Sequence, residues 1–370
     1  MTEAPEVRID QLTGLRAILA SGRAERPDAF AAEPVFPAAT PGVAAEAGEA
    51  GEARRKGFAR PGAAESCPFC EGREDRTPPE VWANRPQGGD PDSPGWVARS
   101  VPNLYPVLAE ETAPAEPETT LADSADPLGR SRRGGEPSLF ASRPANGAHE
   151  VVVSAPEHVT ALGGLTDERL ASTVAAWRER MRAHPNAAYV HLIVNEGPAA
   201  GASLEHSHAQ LYALGFVPAE VARERERASA YHERTMGSHL LADVVAEEVR
   251  RRERLVAVDD DAVLIAPWAS RSPFELRVVP RRPAPSFEAE GEAGTAMIAS
   301  ALRGLASVFD APPQLNLWVR TAPRGTEEFC WHVDIAPRLT VRAGFELGTG
   351  IDVNVYPPER AAADMRAALG

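Results

Sequence analysis

Two stretches of this 370-residue chain read as one unit used twice, which restricts the possible folds more than any single motif does. "LIVNEGPAAGASLEHSHAQL", from Leu192, and "LWVRTAPRGTEEFCWHVDIAPRL", from Leu317, each run from an apolar strand through a loop to an alternating strand. Laid side by side with one gap, His206 stands opposite His332, His208 opposite Asp334, and Gln210 opposite Ala336. The flanking elements repeat in order. "HEVVVSA" reads as a strand, followed by a helix that Thr166 caps, with Asp167 and Glu168 in its first turn. Its apolar residues Leu170, Val174, Trp177 and Met181 have helical spacing. In the second half "PFELRVVP" is the strand and "GTAMIASALRGLASVF" the helix. This order predicts a duplicated α+β unit, with repeats at 1–235 and 236–370. Residues 34–65 and 109–148 are rich in Ala, Gly, Pro and Glu and read as disordered or loop insertions.

With 53 acidic residues against 39 basic ones, the formal charge is -14, which argues against a nucleic-acid or membrane-surface partner. Lys56 is the only lysine, so arginine would carry any recognition of an anionic small molecule. No apolar run reaches membrane-spanning length, and "MTEAPEVRID" lacks the pattern of a signal peptide. A soluble, cytoplasmic protein is the expectation. The three cysteines fit it, since an odd count with two in Cys67-Pro68-Phe69-Cys70 suits a metal or redox role better than a disulfide framework.

If "EHSHAQL" is extended, His206, His208 and Gln210 share one face. Taken alone, an H-x-H pair is more often a solvated strand face than a site. The C-x-x-C turn changes that weighing, because two thiolates three apart are half of a tetrahedral zinc site. A redox role for the pair lacks the strand–helix–strand context it needs. His158, just after a strand, and His206 are the available partners; His149 opens a strand and His191 lies within an apolar one. A closed Cys67, Cys70, His158, His206 set would be structural, leaving His208 free for chemistry. Neutral imidazole can attack phosphorus, and the loop with Gly197, Gly201 and Ser203 offers close backbone approach to a phosphate.

"NEGPAAGASLEHSHAQ" resembles the active-site motif of the galactose-1-phosphate uridylyltransferase family, within the histidine-triad superfamily. Other segments agree in order: "GRAERP" with Arg23 and Arg26, "CPFCEGREDRTPPEVW", "RSVPNLYPVL" with Asn103, and "FELGTGIDVNVYPPERAA" with Glu346. The resemblance implies a duplicated histidine-triad-like fold, an antiparallel sheet flanked by helices. It also implies ping-pong transfer of a nucleoside monophosphate through a covalent histidine. By position His208 would be the nucleophile, with Gln210 and Ser203 contacting the transferred phosphate. Asn195 and Arg26 would contact the phosphates, Asn103 the nucleoside and Glu346 the hexose, with Arg23 also binding substrate.

The resemblance also carries the substrates. The expected reaction moves UMP from UDP-glucose to a hexose 1-phosphate, in a zinc-containing enzyme of galactose metabolism that forms a homodimer. Ser207 stands where the bacterial enzymes usually have proline, and "HSHAQ" and "FELGTG" are more similar to the plant-type branch, which includes an ADP-glucose phosphorylase. A phosphorylase using inorganic phosphate is therefore the alternative, and a silent nucleotide-sugar-binding protein the third. Many members carry a second, iron-type site. Here Glu224 and His332 match it, but Asp334 and Thr321 stand near where other ligands would be, so that site is not expected.

Overall fold

The computed structural model describes residues 4–21, 23, 63–109 and 144–370. Arg26 and most of the two insertions lie outside the described residues. The strands of the first half are β1 (Glu6–Ile9), β2 (Arg16–Leu19), β3 (Trp82–Asn84), β4 (Ala98–Pro102), β5 (Gly147–Val153), β6 (Tyr189–Glu196) and β7 (His208–Leu214). Helix α1 (Asp167–Arg182) crosses from β5 to β6; α2 (Ala219–Thr235) and α3 (Leu240–Arg251) follow β7. The second half has β8 (Leu255–Val258), β9 (Ala262–Ile265), β10 (Leu276–Pro280), α4 (Thr295–Val308), β11 (Leu315–Arg320) and β12 (His332–Pro337). The chain ends through α5 (Gly344–Thr349), β13 (Asp352–Asn354) and α6 (Pro358–Leu369).

Ten strands form one sheet in the order β3-β4-β5-β7-β6-β11-β12-β10-β9-β8. Read outward from its centre, each half has the same topology, with α1 and α4 as equivalent crossovers. The halves join where β6 pairs antiparallel with β11, Ile193 opposite Trp318. The α+β duplication expected from the element order is thus present. β1, β2 and β13 make a separate small sheet.

Helices α1, α4 and α6 cover one face of the large sheet. Leu170, Val174, Trp177 and Met181 are buried there, as their spacing predicts, against Leu192, Val194, Leu211 and Leu317. The Thr166 side chain accepts from the Arg169 N–H and caps α1. Strand alternation turns the intervening residues, His208, Gln210 and Tyr212 on β7 among them, to the opposite face.

The ladders correct the sequence alignment of the repeats. Leu192 pairs with Leu211 and Ile193 with Gln210; in the second unit Leu317 pairs with Ile335, Trp318 with Asp334 and Arg320 with His332. With "LIV" set on "LWV", His208 falls opposite His332, and Gln210 opposite Asp334. Both rings also place Nδ1 near the carbonyl two residues back, His206 at 2.7 Å and Cys330 at 3.4 Å. A shift by two residues keeps every side chain on its face, so periodicity alone could not see the slip.

A buried ion cluster pins β5 to α1. Glu150 accepts from Arg180 (2.8 and 2.7 Å), His184 (2.7 Å) and Ser100 (2.8 Å). Burial by itself would raise its pKa, but these donors and the Arg180 charge outweigh it and hold the carboxyl at about 2. Because the folded pKa lies below the unfolded one, about 4.3, this stabilisation is present above that value. It is lost as pH falls through the folded pKa. Glu150→Gln strands Arg180 and is expected to cost about 3–5 kcal/mol at pH 7, with the difference from wild type shrinking toward pH 2. Urea unfolding across pH checks it; a pH-independent loss would contradict the assigned cause.

Candidate active site and metal cluster

Cys67 and Cys70 lie on a turn in which the Phe69 N–H donates to the Cys67 sulfur at 3.4 Å. His158 comes from the loop after β5, and His206 lies two residues before β7. The fold brings these four together, with their ligand atoms all within 4.8 Å of one another. Cys67 Sγ is 3.4 Å and Cys70 Sγ 3.7 Å from His206 Nδ1, and Cys70 Sγ is 3.5 Å from His158 Nδ1. A tetrahedral ion with ordinary zinc bond lengths would separate sulfur and nitrogen by about 3.6 Å. His206 Nε2 lies 3.0 Å from the Ala155 carbonyl, which can only accept. The hydrogen therefore sits on Nε2, and the Nδ1 lone pair faces the thiols. Burial, with the neighbouring His158, lowers the His206 pKa to about 4, so the imidazole is neutral. The donor set fits a tetrahedral metal ion.

His208 begins β7 and is buried, with the Phe69 ring edge-on at 5.1 Å. Its Nδ1 is 2.7 Å from the His206 carbonyl. A carbonyl accepts only, so Nδ1 carries the hydrogen and Nε2 the lone pair. Burial lowers its pKa, which keeps the ring neutral and that lone pair available. Ser207, between the two histidines, donates its N–H to Val159 at 2.6 Å and its hydroxyl to Glu196 at 2.8 Å. Glu196 also accepts the Leu162 N–H at 2.6 Å, and burial raises its pKa to about 7. This carboxyl, which sequence reasoning did not single out, ties the His-Ser-His segment to the loop that carries His158.

Gln210 follows on the same face of β7, within a polar chain that reaches Tyr212, His149 and Asn103. Asn195 on β6 accepts from Asn316 of β11 at 2.8 Å, and Asn316 also donates to the Ala200 carbonyl at 2.8 Å. The glycine-bearing loop is thereby held to the second unit. Gly197 is required there: its φ is +83°, and a Cβ would stand 2.4 Å from the Gln314 side chain. Ser203 is exposed on that loop and Arg23 is exposed beyond β2. Glu346 is half-buried. It sits on α5 and accepts the Ala343 N–H at 3.0 Å.

In the second unit His332 lies between Glu224 (3.6 Å) and Asp334 (3.4 Å). Asp334 is gripped by Arg277 at 2.6 Å. Thr321 instead donates to Glu288 and accepts from the Phe287 N–H. Among the described residues, only the Cys67, Cys70, His158, His206 group brings its ligand atoms all within 4.8 Å of one another. A narrow cavity near His332 is lined by Arg16, Arg271, Arg277, Arg320, Asp10, Glu275 and others. Several of its charges are already paired, Arg271 with Glu275 and Arg320 with Glu220.

The mirrored half-sheets define a duplicated α+β fold of the kind that a solved uridylyltransferase structure shares. The chain belongs to the family described as "Domain of unknown function (DUF4921)", whose profile matches residues 147–370. It is 28% identical over 380 residues to an ADP-glucose phosphorylase of Arabidopsis thaliana, covering 98% of this chain and 93% of that one. It is 27% identical to a galactose-1-phosphate uridylyltransferase of Kluyveromyces lactis, covering 72% of this chain and 76% of that one. Among solved structures, the Arabidopsis ADP-glucose phosphorylase with bound ADP-glucose superposes with a TM-score of 0.72 at 24% identity, over 98% and 99% of the two chains. A uridylyltransferase structure gives 0.66 at 25% identity, over 98% of each. No described helix is long and apolar enough to cross a membrane.

Proposed function

We propose that this protein transfers a nucleoside monophosphate from a nucleotide sugar by way of a covalent nucleotidyl-His208. The observation that carries this is the pairing of roles in one short His-Ser-His segment at the start of β7. His206 turns Nδ1 to the thiols, while His208 donates Nδ1–H to the His206 carbonyl and keeps its Nε2 lone pair. In the first step Nε2 forms a bond to the α-phosphorus, and the bond from that phosphorus to the bridging oxygen breaks, releasing the sugar 1-phosphate. In the second step an acceptor oxygen attacks the same phosphorus and the P–N bond breaks. Gln210, Ser203 and Asn195, with Arg23 and Arg26, would hold the phosphates, and Asn103 the nucleoside. Zinc, held by Cys67, Cys70, His158 and His206, would be structural.

The acceptor separates two readings. Transfer of UMP to a hexose 1-phosphate is the reading that follows from the uridylyltransferase motifs. Transfer of AMP to inorganic phosphate is favoured by the near full-length match to an ADP-glucose phosphorylase. Incubation with ADP-glucose or UDP-glucose labelled at the α-phosphate, without acceptor, should leave label on the protein. Chasing with phosphate or with galactose 1-phosphate then identifies the acceptor by the product. Tight binding without covalent label would instead mark a nucleotide-sugar-binding protein.

A further inference from the structure

We infer that His149 is a positioning residue that, together with Tyr212, locks the side-chain amide of Gln210 with its NH2 group toward the transferred phosphoryl group. The inference rests on the transfer reading above. It follows from counting donors and acceptors around one oxygen. Gln210 Oε1 lies 2.8 Å from the Tyr212 hydroxyl, which donates to it, and 3.1 Å from His149 Nε2. The tautomer of His149 is set from its other side, because the Val107 N–H donates to Nδ1 at 3.3 Å. With Nδ1 accepting, the single ring hydrogen belongs on Nε2, where it points at Gln210 Oε1. Two donors on Oε1 leave the amide one orientation. Its NH2 then faces the open side of the strand, and among the described residues nothing accepts from it.

The position of Asn103 completes the count. Its Oδ1 accepts the Tyr105 N–H at 2.8 Å, so its Nδ2 is the atom 3.0 Å from His149 Nε2. Nε2–H cannot accept from it. In this tautomer the contact is donor against donor, so Asn103 takes no part in orienting Gln210. Stacking of His149 on Tyr212, with centroids 4.2 Å apart and planes at 24°, keeps the two donors side by side. The register supplies the contact, since His149 of β5 is paired with Tyr212 of β7 and Val151 with Gln210. Burial lowers the His149 pKa, which favours the neutral ring that this hydrogen-bond pattern requires.

The test has two parts. Nitrogen-15 spectra of histidine-labelled protein at pH 7.5 should show His149, assigned by loss of its signals in His149→Gln, as the Nε2–H tautomer. An Nδ1–H tautomer overturns the inference whether or not the protein transfers nucleotides. In the second part, formation of nucleotidyl-enzyme from ADP-glucose and UDP-glucose is timed. His149→Ala should slow it about a hundredfold, Tyr212→Phe less, and His149→Gln should recover part of the loss because its amide can donate in place of Nε2–H. In a Gln210→Ala background, His149→Ala should add no further slowing. Multiplicative losses, or a wild-type rate in both His149→Ala and Tyr212→Phe, would overturn it. If wild-type protein takes no label, the transfer reading fails, and the tautomer measurement still decides the hydrogen-bond assignment.

Discussion

His208→Gly should form no nucleotidyl-enzyme and lose turnover on the order of 10⁴-fold or more, while keeping its metal and its fold. The loss is large because the nucleophile itself is removed. The fold should survive because His208 contributes one hydrogen bond, to the His206 carbonyl, and an edge contact with Phe69. That limits the stability cost to about 1–3 kcal/mol. Metal content by elemental analysis and a thermal melt should therefore resemble wild type. Added imidazole can enter the vacated space and restore part of the transfer. If His208→Gly still takes up label, or sheds metal as readily as a His206 variant, the division of roles between the two histidines is wrong.

Loss of a cluster ligand should produce the opposite pattern. Cys67→Ser, or His206→Ala, is expected to lower metal content first and stability with it, activity falling as a consequence. Metal binding free energy in such closed sites is folding free energy. The total in hand for a folded domain is only about 5–15 kcal/mol, so a cost of several kcal/mol is a large share. The cluster also joins three separate segments: the Cys67–Cys70 turn, the loop with His158, and the start of β7. Extended chelation of the native protein should lower its melting temperature, and added zinc should restore it. Native protein that contains no zinc before chelation would refute the assignment.

The α1 stripe, the C-x-x-C turn and the His-Ser-His strand were legible in the sequence because each depends on local spacing. Helical period sends Leu170, Val174, Trp177 and Met181 to one side of α1 wherever it packs. Strand period sends His208 and Gln210 to a common side, and the cysteine turn limits what two further ligands could be. The order of elements was enough for the duplicated α+β class, since each apolar face needs a partner layer. The motif similarity to uridylyltransferases also came from contiguous residues.

What the sequence could not determine were relations between segments far apart in the chain. Whether Asp334 or His332 stands opposite His208 depends on strand register, and a two-residue slip leaves the polar pattern unchanged. In the sequence His149 only opens a strand; its contact with Gln210 exists because β5 pairs with β7, so that β6 comes next to the second unit. Glu196 reads as an ordinary loop-edge carboxylate until the fold buries it against Ser207 and Leu162. Glu346 belongs to a motif that resembles a sugar contact, and its capping of the Ala343 N–H on α5 is likewise invisible to the motif. Period and composition act within a few residues of the backbone, and they determined the elements and the ligand set. Pairing and burial act across the sheet, and only the tertiary structure decided which hydrogen of which histidine points where.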